Sequence, residues 1–122
     1  MHRDVNKRRE YQKRYKKAHP KTDKQREKAR RAYLIKNFGI TSCQFDELFM
    51  KQKGLCANCN LPETGKDNKG RIRRLAVDHD HNTKKVRWLL CHNCNIGLGN
   101  FKDSSILLRN MAKLLDDFNS LN

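Results

Sequence analysis

The sequence predicts a small α+β domain: a metal-clamped β-hairpin with a helix behind it, a basic helical arm in front and a C-terminal helix. Three observations predict it. Two Cys-x-x-Cys pairs, Cys56-Ala57-Asn58-Cys59 and Cys91-His92-Asn93-Cys94, bracket 31 residues that hold two short strand-like segments. The front of the chain is rich in helix formers and strongly basic. The end of the chain repeats apolar residues at spacings of three and four, the period of a helix face.

With 122 residues and 36% hydrophobic content, the chain has little apolar surface from which to build a core. The cysteine pairs compensate. In each, one backbone turn can aim two thiolates at one ion, so Cys56, Cys59, Cys91 and Cys94 read as one tetrahedral zinc site. His92, inside the second pair, reads as a spacer, with a Cys3His shell as the alternative. The start, Met1-His2-Arg3-Asp4, lacks the apolar run of a signal peptide, and no stretch of about 18 apolar residues suggests a membrane span. A cytoplasmic protein with no membrane partner is expected. In a reducing cytosol such pairs are metal sites or redox centres more often than disulfides, and two in so small a chain favour the metal.

Lys and Arg number 28 against 13 Asp and Glu, a net charge of +15 that calls for a polyanionic partner. Residues 1–37 hold 15 basic and 4 acidic residues, and residues 38–122 hold 13 and 9, so the first 37 residues form the arm and the rest the folded domain. The arm should contact phosphates rather than read bases, Arg30 and Arg31 among its contacts. Helix formers run from Asn6 to Lys36, broken at His19-Pro20. Thr22-Asp23-Lys24-Gln25 fits a capping box that starts a second helix, and Gly39 should end it. The first segment has so few apolar residues that it should be disordered or loosely helical without its ligand.

Thr41-Ser42-Cys43-Gln44 offers another capping box, for a helix reaching Lys53 and ended by Gly54. Phe45, Leu48 and Phe49 should be its buried face, and Cys43 a small buried or half-buried thiol. Residues 60–73 read as a loop. Arg74 to Asp80 and Lys85 to Leu90 read as strands joined across His81-Asn82-Thr83-Lys84. Trp88 alternates with Val86 and Leu90, which predicts burial. A short helix should begin at the second cysteine pair and break near Gly97-Leu98-Gly99, before a last helix capped by Asp103. Ile106, Leu107, Met111, Leu114, Leu115 and Phe118 give that helix a stripe that reads as core, with a homodimer seam as the alternative.

The interval between the cysteine pairs centres on Val77-Asp78-His79-Asp80-His81, the densest cluster of metal-binding and proton-transferring side chains. A zinc with four thiolates has no open position and cannot be the catalyst, so hydrolytic chemistry here needs a second, harder cation. A carboxylate and an amide can hold it through oxygen, and a neutral histidine can take a proton from water. Asp78 and Asn95 can supply the oxygens. Asn95 directly follows Cys94, so closing the zinc site should bring its amide to the hairpin that carries Asp78 and His79. Arg71, Arg73, Arg74 and Arg87 lie near enough in sequence to touch phosphate.

In order and spacing, Cys56-x-x-Cys59, Val77-Asp78-His79-Asp80-His81, Val86-Arg87 and Leu89-Leu90-Cys91-x-x-Cys94-Asn95 resemble the phage recombination endonuclease VII family, over about residues 54–103. The resemblance implies a ββα-metal (HNH, His-Me finger) core and a DNA endonuclease that nicks or cuts duplex or branched DNA. It implies Asp78 and Asn95 as magnesium ligands, with Mn2+ able to substitute, and His79 as general base. His81 would stabilise charge or orient groups at the phosphate, and the four paired cysteines would hold zinc. It also implies a phage protein acting in a bacterial host's cytoplasm. Two positions depart from the pattern: Trp88 stands where the family commonly has glycine, and Leu98 where some members have an acidic residue. Two other readings stay open. One is a non-catalytic zinc-containing DNA-binding module, on the strength of the arm and the cysteines. The other is a site-specific homing-type HNH endonuclease, for which the chain has little room for a sequence-reading module.

Overall fold

The computed structural model describes residues 2–121, with side chains from Asp4 onward. Its elements are α1 (His2–Ala18), α2 (Asp23–Phe38), α3 (Ser42–Lys51), β1 (Ala76–His79), β2 (Val86–Leu90), α4 (His92–Asn100) and α5 (Ser105–Ser120). They fall into two units, residues 1–42 and residues 43–122. No helix among the described residues is long and apolar enough to cross a membrane.

In the first unit, where a disordered or loosely helical segment is expected, α1 is a continuous helix, yet none of its described side chains is buried. Tyr11, Tyr15 and His19 stack along one face at i,i+4 spacing, with ring centroids 6.3 and 4.1 Å apart. The expected capping box is present at α2. Gln25 N–H donates to the Thr22 hydroxyl at 3.2 Å, and Thr22 N–H to the Gln25 side chain at 3.0 Å. Gly39 ends α2 at φ +66°, a left-handed cap whose N–H donates to Ile35.

In the second unit, α3 stops at Lys51 and Gly54 closes the turn at φ +73°, its N–H donating to Phe49 O. A Cβ on Gly54 would lie 3.1 Å from the Phe49 ring, so both conformation and space require glycine. Of the expected buried face, Phe45 is buried, Leu48 half-buried and Phe49 exposed, stacked on Phe45 with centroids 6.4 Å apart. Cys43 is exposed rather than buried. Two residues before Phe45, it points to the other side of the helix.

The loop before the sheet carries one isolated bridge, Lys66 to Ile72, closed around Asp67, whose carboxylate accepts from the N–H groups of Lys69 and Arg71. β1 and β2 pair antiparallel with a register shift: Asp78 faces Trp88 but His79 faces Val86. Arg87 is therefore an extra residue on β2, a β-bulge. Simple alternation predicts burial of Trp88 with Val86 and Leu90; the bulge breaks its alternation with Val86 only, and Trp88 is 42% exposed while Leu90 is 3% exposed. At the turn, the Asp80 carboxylate accepts from Asn82 N–H at 2.8 Å and Thr83 N–H at 2.9 Å. These bonds hold its pKa below the usual carboxylate range.

Leu75, Val77, Leu89 and Leu90 with Phe45 form the small buried apolar set of this unit, alongside Cys56. Gln52 ties α3 to the open edge of β2. Its amide nitrogen donates to Leu89 O at 2.9 Å and to Leu55 O at 2.8 Å, and its oxygen accepts from Leu89 N–H at 2.9 Å. α4 packs against both strands and runs through Gly97-Leu98-Gly99 without the expected break. Packing on the sheet outweighs the low helix propensity of two glycines. α5 is capped by Ser104, which accepts from Leu107 N–H, and not by Asp103. Its apolar stripe is not core: no residue of α5 is buried, and Leu114 and Phe118 are 64% and 63% exposed.

Candidate active site and metal centre

Both Cys-x-x-Cys turns meet in space. One Sγ from each of Cys56, Cys59, Cys91 and Cys94 lies within 4.8 Å of all the others, and Cys59 and Cys91 are 3.9 Å apart. Tetrahedral zinc with bonds of about 2.3 Å needs sulfur separations of about 3.8 Å, so the four thiolates fit that ion. The donors around them fit as well. Asn58 N–H points at Cys56 Sγ (3.4 Å), Cys94 N–H at Cys91 Sγ (3.5 Å) and the Asn58 amide at Cys94 Sγ (3.3 Å). Burial works against ionising Cys56, but the backbone N–H groups of Cys59, Cys91 and Asn58 outweigh it and bring its pKa down to about 6. At Cys94 the Asn58 bond is outweighed by burial and by the neighbouring cysteines, which push it up to about 12. A fourth thiolate beside three others calls for a cation to balance it.

The cysteine site holds the hairpin to what precedes and follows it. Ala57 N–H donates to Leu89 O at 3.1 Å, joining the first turn to β2. Cys91 is the N-cap of α4, and Glu63 completes that helix start by accepting from His92 N–H at 2.7 Å. Gln52 and Glu63 are the two contributors that sequence reading passes over, because single amide and carboxylate contacts to distant backbone leave no periodic trace.

Asp78 and His79 occupy the end of β1, and Asn95 sits in the first turn of α4, which packs on that strand. Asp78 is buried at 5% exposure; His79 and Asn95 are half-buried and His81 is exposed. The His79 and His81 rings meet edge to face with centroids 4.8 Å apart. Asp80 belongs to the turn and not to the cluster.

Arg87 reaches across the bulge to Asp78, its Nε donating to Oδ2 at 2.8 Å and its Nη2 to Oδ1 at 3.0 Å. The same guanidinium donates to Asp103, Nη1 to Oδ2 at 2.9 Å and Nη2 to Oδ1 at 2.8 Å. These bonds to Asp103 and Asp78 raise the Arg87 pKa and hold Asp103 below the usual carboxylate range. Arg71 pairs with Asp67 at 3.4 Å, and Arg73 Nη1 lies 3.1 Å from each ring nitrogen of His92; both side chains and Arg74 are exposed. In the first unit Arg31 is exposed, whereas the Arg30 side chain is only 16% exposed and pairs with Glu27 at 3.5 Å.

Comparison with known proteins locates this arrangement. The Gene 59 proteins of Mycobacterium phages L5 and D29 are each 37% identical to the chain over 62 residues, 51% of its length. The chain spans about a third (34%) of the length of these relatives. No solved structure gives a significant match. The sequence model for recombination endonuclease VII matches residues 28–117, which include both cysteine turns, the hairpin and α4. The chain belongs to the recombination endonuclease VII family.

Proposed function

We propose that the protein is a metal-dependent endodeoxyribonuclease whose second unit is a ββα-metal (His-Me finger) core, hydrolysing phosphodiester bonds in duplex or branched DNA. The observation that carries this reading is family membership combined with a hairpin bearing Asp78 and His79 and a cysteine-capped helix bearing Asn95. Asp78 and Asn95 are the oxygen donors for magnesium, or manganese in its place. A carboxylate presents about four lone-pair sites, so the two bonds from Arg87 leave Asp78 able to accept a cation as well. When bound, that ion supplies charge stabilisation at the phosphate and the leaving oxygen. His79, half-buried and next to Asp78 in the chain, accepts the proton of the attacking water. His81, against the His79 ring, orients it or meets the phosphate. The four-cysteine zinc is structural.

Residues 1–37 are the DNA-binding arm, with Arg31 on the arm and Arg71, Arg73 and Arg74 before the hairpin as phosphate contacts. Arg30 and Arg87 already face carboxylates, so their part in DNA binding is secondary. The second partner is another copy of the chain. Leu107, Met111, Leu114, Phe118 and Leu121 follow the alternating four-three spacing of a coiled-coil seam, and all are exposed. Arg109 lies in the first half of α5 and Asp116 in the second, so an antiparallel pair matches these opposite charges, while Lys113 and Asp117 pair within the helix at 2.6 Å.

Supercoiled plasmid incubated with zinc-loaded protein, in magnesium or in EDTA, tests the activity. Nicked or linear product in magnesium alone is expected. Intact plasmid and intact four-way junctions, with the DNA still bound, would return the protein to a zinc-containing binding module.

A further inference from the structure

Asp103 lies outside both cysteine turns and the Asp78-His79 pair, in the turn between α4 and α5. Lys102 and Asp103 are consecutive non-glycine residues in the left-handed region, at φ +54° and +59°. Such conformations are disfavoured for residues with a Cβ and persist where surrounding contacts over-determine them. Here the turn is closed by Lys102 N–H to Gly99 O and Asp103 N–H to Leu98 O, and it delivers both Asp103 oxygens to Arg87. The β-bulge delivers the adjacent edge of the same guanidinium to Asp78, with Nη2 serving both carboxylates. Two local irregularities thus converge on one cation flanked by two carboxylates.

The charges give this chain of contacts its meaning. Arg87 bonded to Asp78 alone would neutralise the ligand and set a positive charge beside the position of a second cation. With Asp103 on the adjacent edge the cluster of three carries a net negative charge, and the repulsion between Arg87 and a divalent ion is offset. Arg87 also fixes the Asp78 carboxylate plane through a two-point contact, which one hydrogen bond would not do.

We propose that Asp103 is a positioning residue of the nuclease site: it holds and neutralises Arg87, so that Arg87 can orient Asp78 without expelling the divalent cation. This rests on the reading of Asp78 and Asn95 as ligands. Manganese binding to the zinc-loaded chain without DNA, followed by electron paramagnetic resonance, tests both claims separately. Asp103→Asn should weaken Mn2+ binding about tenfold, and Arg87→Gln combined with Asp103→Asn should recover at least half of that loss on a logarithmic scale. A role confined to holding the turn predicts no recovery, because the double variant loses every contact of the bridge.

Unchanged Mn2+ affinity in Asp103→Asn, with wild-type binding abolished by Asp78→Asn, overturns the role of Asp103 and leaves the ligand assignment standing. Wild-type protein that binds no Mn2+, or binds it equally well as Asp78→Asn, overturns both. If Asp103→Asn does not retain zinc, Asp103→Glu decides. It keeps the charge and should bind Mn2+ within about threefold of wild type; a tenfold loss there contradicts the proposal.

Discussion

At the scale of single residues, what matters at this site is how few groups do several jobs. Gln52 closes the edge of β2 with one amide, replacing the backbone partner that a third strand would provide. Gln52→Ala should lower unfolding stability by about 2 kcal/mol in denaturant titrations at constant zinc, from three lost bonds each worth about 0.5–1.5 kcal/mol. Asp80 gives a pH signature. Its folded pKa lies below the unfolded value because it caps the turn, so its stabilisation is complete above the unfolded carboxylate pKa of about 3.9 and fades as pH falls through the lower folded value. The stability difference between wild type and Asp80→Ala should stay constant from neutral pH to about 4 and shrink below it, acid loss of zinc being common to both proteins. Residue identities were the most legible level. The four cysteines, the Thr22 capping box and Gly39 act through neighbours three or four positions away. Arg87 was illegible because its role depends on the bulge, and a register shift of one residue leaves no mark in the pattern of apolar side chains.

Among the elements, the hairpin and its helix were readable because cysteine spacing, strand alternation and a turn cluster agree at that point. The end of α4 was not. Two glycines suggested a break, yet α4 continues through them because it lies on the sheet. Neither glycine of that pair meets any atom within 4 Å of an added Cβ. Gly97→Ala should therefore stabilise the chain by about 1 kcal/mol, seen as a higher thermal midpoint; destabilisation would show that the backbone there must be approached by something else. Trp88 was not legible either, since strand alternation gives the face a side chain lies on and not what covers it there: Leu90 is 3% exposed and Trp88 42%. The cysteine site should be the main brace of these elements. Removing its zinc with a chelator should release one ion per chain and dissolve the hairpin's order in amide exchange, in keeping with the roughly 10–16 kcal/mol that structural zinc brings to small domains.

For the whole molecule, charge and apolar surface point to two different partners. The helical period of α5 was legible from the sequence, but a periodic stripe says only that a face is apolar. What covers it is decided by tertiary placement, and in this chain nothing among the described residues buries it. Sedimentation should show a concentration-dependent dimer that Leu114→Glu converts to monomer; a wild-type monomer at all concentrations would reject the seam. The basic arm was legible as charge, and its division at Pro20 and the capping box of α2 were legible too; the continuity of α1 was not, because so few apolar residues mark it. Deleting residues 1–20 should flatten the salt dependence of DNA affinity while leaving zinc content unchanged. An unchanged slope would move DNA binding to the second unit.

The central claim is that His79 takes the proton from water at a site organised by Asp78 and Asn95. Plasmid cleavage by His79→Ala, compared with wild type at matched zinc content and matched DNA affinity, tests it most directly. The magnesium-dependent rate should fall about a hundredfold or more, with binding intact. Cleavage at the wild-type rate, in protein free of contaminating nuclease, would contradict it.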